Sequence, residues 1–469
     1  MNWHLKIAIE RTIVKNIFSQ IAFKSHRKMR ASSSFAGPLI YVLSFFHGSP
    51  AQAQTRATPE NLQSAWTIAL SGDHRIREAE RATAAATDEL GAAKDSRLPS
   101  VSMQGAYNVL DHAPTGEIDL NLGIAGLPST LNQQLIGNQF GITSIMVSAP
   151  LFTSGQIHHG IAAAASSVKA SQYEKDRTEL DVKLDVAAAY INVLRAQHAA
   201  EVAQSSVVSL RSFAVDVKNL QDEGLIPRND LLAAQVALAD ARQREIQASN
   251  TLDIARASFN RLLGRPLTDP VLLEEITPDM ITEETQALTQ RAMKQRPELS
   301  TLDGQAEALR QKAASVRAGG LPQLAFSGGN TYLQDELLVH KSIWSVSVAL
   351  RWEVFDGGTR HRNAQALVER AQAVQERRAD ADSIIALQVR QAWLDTQETE
   401  KRIVVTQESV TQAEENLKVA KDRYLEGVGT NTEVLDAETL RVRTLTNRWS
   451  AIYDSVLADM RLHRAVGDL

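Results

Sequence analysis

The chain has 469 residues, of which 43% are hydrophobic and only 5% aromatic, and its formal net charge at pH 7 is −5. So few aromatic residues favour long helices packed through small side chains over a compact aromatic core. The mildly acidic balance argues against nucleic acid as a partner, and the absence of cysteine excludes a disulfide framework.

The N-terminal segment 1–53 is predicted to be a signal peptide. A basic stretch precedes a short apolar run at 35–46, and Ala51-Gln52-Ala53 fits the small-x-small pattern of a cleavage site. An N-terminal membrane anchor is the less favoured alternative, because the apolar run is too short to span a bilayer. The sequence leaves open whether translation starts at Met1 or Met29.

The rest of the chain repeats itself. Residues 223–234 match 426–437 at an offset of 203, whereas Leu98-Pro99 matches Leu321-Pro322 at an offset of 223. One segment between Met103 and Ser148 must therefore be longer in the first copy. We predict a first structural repeat over 54–264, an inter-repeat linker over 265–281 and a second repeat over 282–467.

Each repeat is predicted to begin with a helix, at about 59–97 and 282–318, which proline and glycine terminate. The hydrophobic period then changes to two, which predicts β-hairpins at about 101–152 and 323–355. Trp344 and Trp352 lie on one face and are eight residues apart, or about 27 Å along a strand. That spacing is typical of the two aromatic girdles of a membrane barrel, although a soluble sheet with one wet face would give the same alternation.

Four strands per chain are too few to close a barrel, which needs about eight, and open sheet edges cannot face lipid. We therefore expect the chain to form oligomers, and three copies would supply twelve strands. The first hairpin has a long turn at about 111–138, which accounts for the change of offset.

Two stretches, from Gln156 to Glu223 and from Thr359 to Glu426, contain no proline and almost no glycine. As single helices of about 70 residues they would be about 100 Å long. Apolar and small residues recur in them at heptad spacing, which predicts coiled-coil packing, with an ordinary helical bundle as the alternative. Gly224 and Gly427 are expected to end these helices, and Pro227 and Thr430 to open the next ones, so that each repeat contains a long αα-hairpin.

These elements together resemble the TolC family of outer-membrane efflux proteins over about 59–467. The most specific matches are the segment 423–430, Val434-Leu435-Asp436-Ala437, and the ends at Leu262-Leu263-Gly264 and Ala465-Val466-Gly467. The resemblance implies a mainly helical, internally duplicated homotrimer, whose α-helical barrel continues a twelve-stranded transmembrane β-barrel. It also implies a passive exit duct in the outer membrane, docked on a periplasmic adaptor and an inner-membrane transporter of the RND, ABC or MFS type.

The resemblance further implies a periplasmic gate lined by acidic residues, which by position are Glu433 and Asp436. The two lie three residues apart and can share one helix face. For Glu433 the alternative is a capping box with Thr430, which needs no channel. Gly224, Gly427 and Gly429 are similar to the tip residues that contact the adaptor.

The alternative function is a periplasmic coiled-coil adaptor or scaffold without a pore, against which the duplicated hairpins and the paired tryptophans argue. No nucleophile, metal or cofactor motif occurs, so we expect neither an enzyme nor a cofactor. His158, His159 and His361 are expected to be solvated residues near helix starts.

Overall fold

The computed structural model of the protein describes residues 59–119, 130–278 and 283–469. The predicted signal peptide, part of the long turn of the first repeat and the end of the predicted linker lie outside these residues. The helices are α1 (Leu62–Gly72), α2 (His74–Asp95), α3 (Gln156–Asp222), α4 (Arg228–Leu262), α5 (Thr285–Gln295), α6 (Pro297–Ala318), α7 (Thr359–Leu425) and α8 (Asn431–Val466). The strands are β1 (Ser100–Val109), β2 (Thr115–Asp119), β3 (Thr130–Gln134), β4 (Gln139–Phe152), β5 (Gln323–Gln334) and β6 (Ser342–Arg351).

The predicted internal duplication is confirmed by these bounds. The helices α1 and α2 become α5 and α6 when 223 is added to their residue numbers, and α3 becomes α7 when 203 is added. The strands β1 and β4 correspond to β5 and β6 at the same two offsets. The two long helices each have 67 residues, which makes each about 100 Å long.

The four strands shared by the repeats form one antiparallel sheet in the order β1-β4-β5-β6. Its register places Val101, Val147, Gly328 and Val346 in one row across the sheet. Because side chains alternate along a strand, this row and every second row belong to an apolar face. On the edge strand β6 this face is open, and Trp344 is 74% exposed.

The opposite face of the sheet is mainly polar. Hydroxyl groups pair across it, as where the Oγ atoms of Ser327 and Ser347 lie 2.8 Å apart. The outer edges of β1 and β6 have no neighbouring strand among the described residues of this single chain. The sheet thus has two unpaired edges, one apolar face and one polar face.

Two local predictions were wrong in detail. The segment predicted as a plain turn at about 111–138 contains a separate antiparallel pair, β2 and β3, which has no counterpart in the second repeat. The second hairpin was predicted to extend to about 355, but β6 ends at Arg351, so Trp352 lies one residue beyond the strand.

The helices predicted at about 59–97 and 282–318 are each divided into two, which the sequence analysis did not predict. Pro297 is the first residue of α6, where its missing N–H costs nothing, but it cannot continue α5. In the first repeat the division falls one position earlier, at Asp73, which caps α2: its side chain accepts a hydrogen bond from the backbone N–H of Arg75. A capping carboxylate therefore marks the start of the second short helix in the first repeat, and a proline marks it in the second repeat.

The long helices α3 and α7 form the frame, and the shorter helices pack beside them. Towards the sheet, α3 contacts α2 and α6, and α7 contacts α6; towards the other end, α3 contacts α4 and α8, and α7 contacts α8. The helix α8 ends where α6 begins, and Arg296 donates hydrogen bonds to the carbonyls of Arg464 and Ala465 at this junction. The guanidinium thus satisfies carbonyls that a helix end leaves unpaired.

The largest hydrophobic cluster lies at this level of the molecule. Tyr190, Phe259 and Tyr453 are fully buried there. The hydroxyl of Tyr190 lies 2.7 Å from the carbonyl oxygens of both Glu60 and Glu274, so it holds the segment that follows α4 against α3. Burial raises the pKa of this hydroxyl well above its ordinary value.

None of the helices in the described part of the chain is long and apolar enough to cross a membrane.

Candidate functional site

The two helical hairpins end in tips of similar construction. Gly224 and Gly427 have φ values of 73° and 75°, in the left-handed region that glycine adopts without strain. At each tip an N–H bonds the carbonyl five residues earlier, Leu225 to Leu220 and Val428 to Arg423. This Schellman pattern ends α3 and α7 sharply.

Gly429 is favoured at its position for a different reason, which is the space available to a side chain. A Cβ atom there would lie 3.0 Å from the backbone nitrogen of Tyr424 and 3.1 Å from the carbonyl carbon of Arg423. The second tip is therefore close-packed on itself. All three predicted tip glycines thus shape the turns.

Glu433 and Asp436 lie in the first two turns of α8, and both side chains are exposed. The hydroxyl of Thr430 accepts a hydrogen bond from the N–H of Glu433, so the predicted capping contact is present. The Glu433 carboxylate lies 3.6 Å from the Nη1 atom of Arg423. The two carboxylates thus stand on one exposed face next to the second tip.

Polar contacts join the two hairpins just behind the tips. The hydroxyl of Tyr424 donates to a carboxylate oxygen of Asp230 at 3.5 Å, and the Asn431 amide donates to the Asp230 carbonyl at 3.1 Å. The ring of Tyr424 packs edge-on against Phe213, 5.3 Å away. Burial and the nearby Asp230 carboxylate raise the pKa of Tyr424 to about 12, so it stays a neutral donor at neutral pH.

A second cluster joins the hairpins further from the tips, and it is built around a buried carboxylate. Glu438 is 2% exposed. It accepts hydrogen bonds from Arg441 on its own helix, at 2.8 and 3.1 Å, and from the hydroxyl of Ser209 on α3 at 2.9 Å. The ammonium of Lys421 donates to the same Ser209 hydroxyl at 2.8 Å. We call these four residues the Glu438 cluster.

The Glu438 cluster brings two cations close together inside the helical wall. Burial lowers the pKa of Lys421, and the nearby Arg441 lowers it further, whereas Glu438 opposes both effects. The carboxylate therefore holds α7, α8 and α3 together by neutralising charge that would otherwise be unpaired.

Sequence reasoning identified the acids of the exposed face but missed the residues that join the hairpins. It gave neither Tyr424 nor Asn431 a role in joining them. Their partner Asp230 lies on the other repeat. Because this contact spans about 200 residues of chain, neither period nor local motif indicates it.

A model of the outer membrane efflux protein family matches residues 66–265 and 288–468. The outer membrane protein TolC of Vibrio cholerae is 22% identical over 422 residues, which cover 87% of this chain and 91% of that protein. The alkaline protease secretion protein AprF of Pseudomonas aeruginosa is 25% identical over 347 residues, or 70% of each chain.

The solved structure of the CmeC outer membrane channel of Campylobacter jejuni is similar to this chain, with a TM-score of 0.73 at 14% identity. The match covers 92% of this chain and 94% of the channel. This likeness confirms the predicted fold class, in which duplicated long helical hairpins are joined to a β-sheet.

Proposed function

The chain belongs to the outer membrane efflux protein family, and we propose that it forms a passive exit duct that crosses the outer membrane and continues through the periplasm. The sheet is the observation that carries this proposal. It has an exposed apolar face on one side, hydroxyl and amide groups on the other, and an unpaired strand at each edge. In lipid every backbone polar group must be paired, so such a sheet has to close on other copies of itself.

Three copies meet this requirement with twelve strands. Successive neighbours in the sheet are antiparallel, so β1 and β6 run in opposite directions. The free edge of β6 in one copy can therefore pair as an antiparallel strand with the free edge of β1 in the next. The apolar face then meets lipid, with Trp344 and Trp352 near its two boundaries, and the polar face lines the duct.

At the other end, the second hairpin supplies the gate in this proposal. In a threefold assembly the exposed carboxylates of Glu433 and Asp436 form two acidic rings, which favour cations. The contacts of Tyr424 and Asn431 with Asp230 hold the second hairpin against the first and keep the gate narrow. The Glu438 cluster supports the same arrangement from further along the helices.

The tips at Gly224, Gly427 and Gly429 are the proposed contacts for a periplasmic adaptor, which connects the duct to an inner-membrane transporter. Leu225 and Val428 project from these turns and are 67% and 66% exposed. Apolar side chains at an accessible turn suit docking to a partner helix. The energy for transport comes from the inner-membrane partner, because a duct of this kind only conducts.

The test is single-channel conductance in planar bilayers, with the assembled protein and a Glu433→Ala/Asp436→Ala variant. We expect a small, cation-selective conductance that increases or loses selectivity in the variant. If the variant has the same conductance and selectivity as the unmodified protein, the duct is supported, but Glu433 is only a helix-cap residue and Asp436 only a surface residue. A protein that runs as a soluble monomer and never inserts would support the pore-free scaffold instead.

A more specific proposal concerns the cargo. The similarity to AprF, an alkaline protease secretion protein, favours a protein as the cargo. Deletion of the gene should then remove at least one protein from the culture medium and leave drug susceptibility unchanged. Unchanged secretion with increased accumulation of small dyes would identify a drug-efflux duct.

A further inference from the structure

The four-stranded sheet contains a single charged side chain. In β1, β4, β5 and β6, all of which the structure describes in full, Arg351 is the only Asp, Glu, Lys or Arg. It is the last residue of β6, next to the junction with the long helices. The other polar residues of the sheet are serine, threonine, glutamine and asparagine. A neutral polar side chain would suit the polar face equally well at position 351, so the positive charge itself calls for an explanation.

The register places Arg351 on the polar face. It lies opposite Gln323, the first residue of β5, and alternation puts Ser347, four residues away, on the same side. Next to it is an open cleft of about 640 Å³, lined by Arg351 together with Gln156, Gln323, Thr359 and Asn363 and by three charged residues of the β6–α7 turn region. The guanidinium therefore borders a water-accessible polar recess.

The neighbouring charges are already engaged with each other. Arg360 forms ion pairs with Glu353 and with Asp356. The Asp356 carboxylate also accepts hydrogen bonds from the backbone N–H groups of Gly358 and Arg360, at 3.0 and 2.9 Å. Among the described residues the side chain of Arg351 has neither an ion-pair nor a hydrogen-bond partner. Its five N–H donors remain available to a ligand.

We propose that Arg351 forms an anion-attracting ring inside the duct, which binds carboxylate or phosphate groups of solutes as they pass from the helical part into the barrel. The inference depends on the proposed threefold duct, because it requires three copies with their polar faces inward. It places a cationic selectivity element at the sheet, at the opposite end from the acidic rings of Glu433 and Asp436. Solutes thus meet first negative and then positive charge.

The size of the effect follows from geometry. Twelve strands about 4.8 Å apart and tilted by about 40° enclose a lumen with a backbone radius of about 12 Å. In 10 mM salt the Debye length is about 30 Å, so three guanidiniums should raise the chloride concentration on the axis about threefold and lower that of potassium about threefold. In 1 M salt the Debye length is about 3 Å, and the same ring should have no measurable effect on the axis.

The experiment measures the chloride-to-potassium permeability ratio from reversal potentials in KCl gradients. The wild type is compared with Arg351→Gln and Arg351→Glu, and Arg351→Lys is the control that keeps the charge. All are also made in the Glu433→Ala/Asp436→Ala background, so that the acidic rings do not dominate the selectivity.

With about 10 mM KCl on the dilute side, we expect Arg351→Gln to lower the ratio by up to about tenfold, and Arg351→Glu to lower it further. Arg351→Lys should retain the wild-type ratio, and all differences should vanish in 1 M KCl. Conducting channels whose ratio is the same in wild type and Arg351→Gln at low salt would overturn this inference and leave the duct intact. Absence of conductance in every protein, wild type included, would instead refute the proposed function.

Discussion

Glu438 and Glu433 provide a direct test of the structure, because they lie five residues apart on α8 in opposite environments. The substitution Glu438→Gln keeps the volume of the side chain but removes the negative charge of the Glu438 cluster. Arg441, whose side chain is 14% exposed, and the half-buried Lys421 would then lose the charge of Glu438, and Lys421 would keep only the weaker attraction of Asp216. Removal of one partner of a buried pair costs about 3–5 kcal/mol, and the partial exposure of the cations favours the lower value, about 3 kcal/mol per chain.

Glu433→Gln is the matched control. Its ion pair with Arg423 is 3.6 Å long, and the two side chains are 44% and 52% exposed. A surface pair of this kind contributes between about 0 and 1 kcal/mol. The structure therefore predicts that the loss of stability caused by Glu433→Gln is at most about one third of the loss caused by Glu438→Gln.

The assay is the thermal midpoint of the helical circular dichroism signal, at one fixed protein concentration in one detergent. The midpoint is compared between variants without conversion to a single free energy, because a large oligomer does not unfold in two states. Lys421→Met should recover part of the loss when it is combined with Glu438→Gln, since it removes the unpaired cation. Equal midpoints for Glu438→Gln and Glu433→Gln would refute the assignment of Glu438 as a buried, charge-neutralising residue.

Three further outcomes are expected. Gly427→Ala should lower the thermal midpoint in the same assay, because φ is 75° and this conformation costs alanine about 1–2 kcal/mol, whereas Gly91→Ala inside α2, where nothing lies within 4 Å, should raise it, because alanine favours a helix over glycine by up to about 1 kcal/mol. Burial alone raises the pKa of Glu298, but hydrogen bonding and charge from Arg464 outweigh it and hold the pKa below its ordinary value. Stability from this carboxylate should thus be present above the ordinary pKa of a glutamate and lost as the pH falls through the lowered pKa, and denaturant midpoints of Glu298→Gln should lack that loss. Replacement of 110–138 by the shorter turn 333–341 of the second repeat should leave heat-resistant oligomers and conductance intact, because within the described residues β2 and β3 pair with each other and not with the four-stranded sheet.

The fold was predictable from the sequence where apolar periodicity determines it. The heptad residues Val410, Leu417 and Tyr424 are all buried, as their spacing indicates. The ends of α3 and α7 were also predictable, because Gly224 and Gly427 adopt the left-handed conformation that terminates helices. Such features depend on local geometry, which a single sequence carries.

The contacts between repeats could not be predicted in the same way. Asp230 meets Tyr424 and Asn431, and Ser209 meets Glu438, only after two segments about 200 residues apart have packed side by side. From the sequence alone, a polar residue in a helix is taken to be exposed to solvent unless its partner is known, and Glu438 was missed for this reason. Glu433 and Asp436 were assigned from the family resemblance. The divisions at Asp73 and Pro297 were both missed, although Pro297 is the clear signal of a helix start and a capping aspartate is the weaker one.

The two repeats have matching helix bounds, but the charged residues at their helix junctions differ. The offset of 223 residues places Arg296 where the first repeat has Asp73, and Glu298 where it has Arg75. Both junctions hold a carboxylate against a guanidinium, Arg75 with Asp185 at 2.6 Å and Glu298 with Arg464 at 2.8 Å, but the signs are exchanged. A joint between stacked helices needs opposite charges on facing helices and not a particular sign on either. The apolar pattern therefore determines the repeat, while the charged positions are free to diverge and to take on the separate roles proposed here for Arg351 and Glu433.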